Sequence, residues 1–266
     1  MCGRYTLRDP AGAARALSRL GADMPDDDYE QKWRPRYNVA PTQSMPVVRR
    51  GPRGNRQIEA SLMRWGITLR PADGGKQRLL INARAESAWQ KPSFRSSLQY
   101  RRCVIPADGF FEWRRVAGAG GGARAAGGPY FIRRRDDGPM WLAGFFEEPA
   151  AAAPAAPAPA GAAAPAFVIM TTGANALMAV IHERMPVILS DEAARAWLGL
   201  AGAGALAGLC VPWRADDLAA TAVGPAVNPV ANDHAGCVAP RGDAARHGDG
   251  EPDAGAGGGQ GLLPLG

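Results

Sequence analysis

Three stretches of the chain cannot form a packed core, and they divide the sequence into what must fold and what need not. Residues 117–128 read AGAGGGARAAGG, residues 149–166 read PAAAAPAAPAPAGAAAPA, and residues 239–266 are rich in Gly, Asp and Ala. Side chains this small or polar bury too little surface to offset the entropy of ordering the backbone. Ala and Gly supply 86 of the 266 residues, so the 46% hydrophobic content overstates the material available for a core. Long surface insertions cost little free energy. We therefore expect one domain over residues 1–238. It carries an expanded hairpin loop at 117–128 and a flexible, partly extended linker at 149–166, and a disordered tail follows at 239–266.

The remainder reads as mixed α and β. Residues 11–20 suit a short helix. Residues 45–49 and 58–65 suit strands around a Gly-Pro-Arg-Gly turn. Residues 85–90 and 94–101 suit short helices broken near Pro92. Residues 103–106, 109–113, 130–134, 140–146 and 167–172 are strand-like. Ser190 is placed to cap a helix over 191–200, with Asp191 and Glu192 in its first turn. Residues 36–42 are polar and turn-like, and 82–86 read as a helix start. Strands outnumber helices without a βαβ rhythm. The expected fold is α+β, mostly antiparallel, with a curved or barrel-like sheet and flanking short helices.

Charge and composition narrow the function classes. The net charge is +6, carried by 28 Arg against 3 Lys. A GC-rich coding sequence is the simpler cause of that excess, and phosphate recognition by the guanidinium fork is the functional one. No run of about 18 apolar residues occurs, so no membrane-spanning helix is expected. The first residues lack the apolar stretch of a signal peptide, so a cytoplasmic protein is expected. Four cysteines lie far apart without a Cys-x-x-Cys pair. Neither a disulfide framework nor a redox pair is expected, and three scattered histidines offer no metal-ligand spacing. No cofactor is called for.

Cys2 is the first residue with chemistry to offer. Aminopeptidases remove Met1 before a small second residue, leaving an α-amine and a thiol on one residue. An α-amine has a pKa near ~8, so part of it is neutral at pH 7. It attacks an aldehyde to give an imine, and the neighbouring thiol closes on the imine carbon as a thiazolidine. Asn82, Arg84 and Glu86 put an amide, a guanidinium and a carboxylate within five residues. Glu112 lies in the aromatic strand Gly109-Phe110-Phe111-Glu112-Trp113, where burial would suit it for proton transfer. His182 follows an apolar run and precedes Glu183-Arg184-Met185-Pro186.

Six segments in order carry a resemblance. They are Met1-Cys2-Gly3-Arg4-Tyr5, Tyr37-Asn38-Val39-Ala40-Pro41, Trp65-Gly66, Asn82–Glu86, Arg102–Trp113, and Ile169–Thr172 through His182–Leu189. The chain resembles the SOS-response-associated peptidase family, the abasic-site-processing proteins, over roughly residues 1–238. Asn232-Asp233-His234-Ala235-Gly236-Cys237 retains the family's closing pattern. The family's second Trp after Trp-Gly is missing.

The resemblance implies binding of single-stranded DNA at abasic sites and a covalent thiazolidine DNA–protein crosslink through mature Cys2, in the SOS response to DNA damage. It implies Asn82 holding the Cys2 backbone or the sugar, Glu112 shuttling protons, and His182 assisting sugar-ring opening and crosslink reversal. Arg4 and Arg84 would grip phosphates. Trp65 and Trp113 would stack near bases, with Asn38, Pro41 and Thr171 also at the DNA site. Self-removal of Met1, weak abasic-site lyase activity, a monomeric state and nucleoid association on DNA are further expectations. Two other classes stay open: an N-terminal-nucleophile amidohydrolase of glutamine amidotransferase type, and a non-covalent single-stranded DNA binder.

Overall fold

Runs of apolar residues bounded by turns form two curved sheets and a separate two-stranded ribbon. The computed structural model describes residues 2–22, 33–51, 57–69, 75–116, 125–149, 164–199 and 203–242. Its strands are β1 (Arg4–Leu7), β2 (Arg36–Val39), β3 (Ser44–Arg50), β4 (Ile58–Trp65), β5 (Ile67–Leu69), β6 (Arg78–Leu80), β7 (Asn82–Arg84) and β8 (Arg102–Ala107). They continue as β9 (Gly109–Val116), β10 (Ala125–Arg134), β11 (Met140–Glu147), β12 (Ala166–Gly173), β13 (Arg184–Pro186), β14 (Ile188–Leu189) and β15 (Leu218–Ala222).

The larger sheet closes on itself. β12 pairs with β4, β4 with β3, β3 with β8, β8 with β11, and β11 returns to β12. Closure removes the unpaired edges that an open sheet exposes. Every pairing in this ring is antiparallel except β12 with β4, and β7 also joins β12 in parallel. The smaller sheet is antiparallel throughout, in the order β15-β10-β9-β1-β2. The fold is therefore α+β and mostly antiparallel, with a barrel-like sheet, as expected from the sequence. Where β11 runs between β8 and β12, residue 144 must be glycine. A Cβ there would sit 2.6 Å from both the Val168 carbonyl and the Ile105 side chain.

Short helices plug the ring. Helix Asp191–Leu198 starts as the sequence reads: the Ala193 amide donates to Ser190 Oγ at 3.1 Å. It buries Trp197, whose indole N–H reaches the carbonyls of Cys103 (3.0 Å) and Gly144 (3.1 Å). Arg102 then joins this helix to helix Pro92–Tyr100. Its buried guanidinium donates to Leu98 and Gln99 carbonyls at the end of one helix and to Trp197 and Gly199 carbonyls at the end of the other. The last carbonyls of a helix have no partner within it, and a cation there also meets the negative end of the helix dipole. One side chain thus caps two helices inside the protein.

Three local expectations are corrected. Strand β10 begins at Ala125, so residues 125–128 belong to a strand rather than a loop, with Ala125 opposite Val116 and a register shift between Ala126 and Pro129. Residues 36–39 form β2 rather than a turn, because β1 pairs with them and the Asp233 carboxylate accepts the backbone amides of Tyr37 (2.6 Å) and Asn38 (3.0 Å). Residues 82–84 form a strand because β12 offers them a parallel partner, and the helix starts only at Ala85. The linker residues 150–163 and the tail beyond 242 lie outside the described residues, as do 117–124.

Replacing Arg102 by Ala leaves four inward carbonyls without their donor. Bonds to a charged group contribute about 1.5–3 kcal/mol each and are not additive, so the expected loss is roughly 3–5 kcal/mol. Urea unfolding of the variant checks this, and a loss below about 1 kcal/mol would mean the carbonyls find other partners.

Candidate functional site

Chain termini usually fray, yet residue 2 of this chain has 0% exposure. β1 starts two residues later and pairs Arg4 with Phe111 on β9, so the chain end runs alongside Glu112 and Trp113. β7 approaches from the other sheet, and Asn82 Nδ2 donates to the Cys2 carbonyl at 2.8 Å. The Cys2 thiol donates to the Arg4 carbonyl at 3.6 Å. Three residues separated by as many as 110 positions thus meet at one buried place. Asn82 Oδ1 is itself buried and has no hydrogen-bond partner among the described residues. It is an acceptor available to a group that enters the site.

The electrostatics follow from burial. Removal from water pushes the Cys2 thiol well above its ordinary range, and the Glu112 carboxylate pushes it the same way. The thiol is consequently neutral at physiological pH. Glu112 is only 3% exposed.

Arg4 projects from β1 toward the end of the domain. It donates to Asn38 Oδ1 (3.0 Å), to the Val227 carbonyl (2.8 Å) and to the Asn228 carbonyl (3.4 Å). All three acceptors are neutral, and no carboxylate lies within 4.0 Å of the guanidinium among the described residues. Among the described residues its charge thus has no carboxylate partner, and desolvation lowers its pKa. The guanidinium lies 5.9 Å from the centre of the half-buried Trp113 ring. Trp113 donates its indole N–H to Asn228 Oδ1 at 2.9 Å.

The remaining expected site residues divide between surface and interior. Arg84 is exposed at the end of β7, and Pro41 is half-buried in the turn after β2. His182 is half-buried, and its Nδ1 accepts the Arg184 backbone amide at 3.0 Å. Trp65, read as a stacking platform, is instead core. Its ring lies edge-on to Tyr5 and parallel to Phe167, and its N–H donates to the Ile81 carbonyl at 3.0 Å. An indole is the largest apolar side chain, and here it supports the strand that carries Asn82. Asn38 and Thr171 are likewise fully buried. Asn38 Nδ2 donates to the carbonyls of Val227, Pro229 and Asn232. The Thr171 hydroxyl donates to the Ala83 carbonyl at 3.4 Å.

The sequence reading missed three residues here. Arg184 forms a two-point ion pair with Glu86 (2.7 and 2.9 Å), which joins the segment after Asn82 to the one after His182. That bond holds the Glu86 carboxyl below its usual range. Asp233 and Asn228 tie the end of the domain to β2 and β9. The closing Asn-Asp pattern was visible as a motif, but its partners, nearly 200 residues away, were not. Among the described residues no group of three or more His, Cys, Asp or Glu side chains is placed to hold a metal ion. No helix there is long and apolar enough to cross a membrane.

The family model described as SOS response associated peptidase matches residues 1–230. The chain is 34% identical over 233 residues to the abasic site processing protein YoqW of Bacillus subtilis, covering 86% of this chain and 94% of that one. It is 28% identical over 277 residues to the abasic site processing protein HMCES of Rattus norvegicus, covering 90% and 76%. A solved structure of a Bacteroides thetaiotaomicron protein superposes with a TM-score of 0.69 at 22% identity, covering 90% of this chain and all of that one. The chain belongs to the SOS response associated peptidase family. Abasic-site DNA processing is the activity that this membership supports.

Asn82 is the main external hold on the Cys2 backbone, so Asn82→Ala should loosen the chain end. One buried hydrogen bond is worth about 1–1.5 kcal/mol, or roughly tenfold in opening. Alkylation of Cys2 in the folded protein, followed by peptide mass spectrometry, should accelerate by about that factor. Equal rates would show that β1 pairing alone holds Cys2.

Proposed function

We propose that this protein binds single-stranded DNA at abasic sites and captures the lesion covalently through mature Cys2. The observation that carries the reading is the meeting of Cys2, Asn82 and Glu112 in one buried site beside the guanidinium of Arg4, whose acceptors among the described residues are neutral. An abasic sugar is an aldehyde masked as a hemiacetal, so ring opening needs acid–base help, which falls to His182. The freed α-amine of Cys2 attacks the aldehyde carbon, water leaves, and an imine remains. Sulfur then adds to the imine carbon while the thiol proton passes to nitrogen, with Glu112 as shuttle. The product is a thiazolidine, and no proton is gained or lost in the closure.

A thiol held neutral fits this order of events. It leaves the first attack to the amine and delivers its own proton only at ring closure. Asn82 Oδ1 is the acceptor placed to receive the amine or a sugar hydroxyl. Arg4, Arg84 and the exposed part of Trp113 meet phosphate and base, a combination suited to single strands. Pro41 lines the approach. Trp65, Asn38 and Thr171 shape the site from within. Removal of Met1 by the protein itself, and slow strand cleavage by β-elimination from the imine, are side paths of the same chemistry. The protein acts as a monomer, associating with the nucleoid where lesions occur.

Incubation with a single-stranded oligonucleotide bearing one abasic site should give a heat-stable DNA–protein band. Cys2→Ala should abolish it. Glu112→Gln should slow it by about a hundredfold, the usual contribution of a positioned acid–base group. Intact mass checks that Met1 is absent. An equally faint band from wild type and Cys2→Ala would sink the reading. Ammonia release from glutamine in the same preparation would instead identify an amidohydrolase.

A further inference from the structure

The closing segment of the domain is tied to the chain start more densely than packing alone requires. Val227 is buried in a small cluster with Phe111, Phe131, Val223 and Cys237. Asp233 holds the amides of β2 and pairs with Arg36. Asn232 Nδ2 closes the loop on the Ala226 carbonyl at 2.7 Å. Asn38 donates to three of the loop's carbonyls. Residues 228–231, by contrast, are exposed, so the loop is rigid at its roots and open at its tip.

Asn228 sits where the rigid part ends. Its side-chain oxygen takes the Trp113 indole N–H, and its backbone carbonyl takes a guanidinium N–H of Arg4. One exposed residue therefore contacts both an aromatic ring and a guanidinium whose acceptors among the described residues are all neutral, two residues from Cys2. A flexible half-buried indole would otherwise lose rotamer freedom on stacking with a base, and ordering it in advance removes that cost. The residue type also matters. An amide oxygen accepts the indole N–H without adding charge, so Arg4 keeps its full attraction for a phosphate. Aspartate at this position would offer the same acceptor but place a carboxylate against the guanidinium.

We propose that Asn228 is a positioning residue that locks Arg4 and Trp113 into one preorganised contact for a phosphodiester and its adjoining base. The inference rests on the single-stranded DNA reading above and adds a residue whose side chain need not touch the DNA itself.

The test uses the full chain and an undamaged single-stranded oligonucleotide, so its outcome does not depend on crosslinking. Wild type, Asn228→Ala and Asn228→Asp are compared for affinity as a function of salt. The Trp113 signal is followed by fluorine NMR of 5-fluorotryptophan-labelled protein, assigned with Trp113→Phe. Because Asn228 is exposed, all three proteins should unfold at similar temperatures. Asn228→Asp should keep the Trp113 resonance in place yet bind about tenfold more weakly, with a salt slope lower by about 0.7, the single-strand value for one phosphate contact. Asn228→Ala should shift or broaden the Trp113 resonance and weaken binding by a few fold, with the wild-type slope. An Asn228→Asp variant with wild-type affinity and slope would overturn the proposal. So would an unmoved Trp113 resonance in Asn228→Ala. A wild type that binds the oligonucleotide but forms no crosslink on abasic DNA would remove the capture reading and leave this one to stand on its affinities.

Discussion

The structure depends on keeping the second residue of the chain inside the protein. A terminal residue gains little from its own contacts and loses much entropy when fixed. Here the hold on Cys2 is shared. β1 is paired on both sides, by β2 and β9, which sets direction and depth. Asn82 reaches across from the other sheet to the Cys2 carbonyl. Trp65 supports Asn82 from below through the Ile81 carbonyl. The barrel-like sheet and its helical plugs can be understood as the frame that makes these approaches rigid.

Burial also sets the chemistry. The same exclusion of water that fixes Cys2 keeps its thiol neutral. A carboxylate at Glu112 and an uncommitted amide oxygen at Asn82 would each be costly in a purely structural core. Arg4 shows the complementary pattern, a cation surrounded by carbonyls rather than carboxylates. Arg102 has similar neutral partners but a different task, since its four acceptors are helix ends sealed inside the domain. The two arginines differ in what remains open: Arg102 faces only protein, and Arg4 shares an exposed edge with Trp113.

Much of this was legible in the sequence, and the reasons for the rest are physical. Alternating and aromatic runs located β3, β4, β8, β11 and β12 within a residue, and the start of β9, because their faces are set by local pattern. Ser190 marked its helix start for the same reason. The polar segment at 36–39 and the short strand at 82–84 were not legible as strands. Each is a strand because distant groups satisfy its backbone: β1 and Asp233 for 36–39, and β12 for 82–84. Cys2 and Glu112 could be singled out by residue type and position. Whether Trp65 faced solvent could not be read from its motif, since an indole near a site serves as platform or as foundation according to what packs on it. The roles of Asn228 and Asp233 required contacts across more than a hundred residues.

That last separation bears on how the protein is made. Arg4 leaves the ribosome early in the synthesis of this domain, and the carbonyl that receives it at Val227 is 223 residues behind. Contacts of such long range form late, after the loop they close has been synthesised. While the domain is being synthesised, β1 therefore lacks its final anchor. The surroundings of Cys2 and Arg4 are completed only as the domain's last turn folds into place.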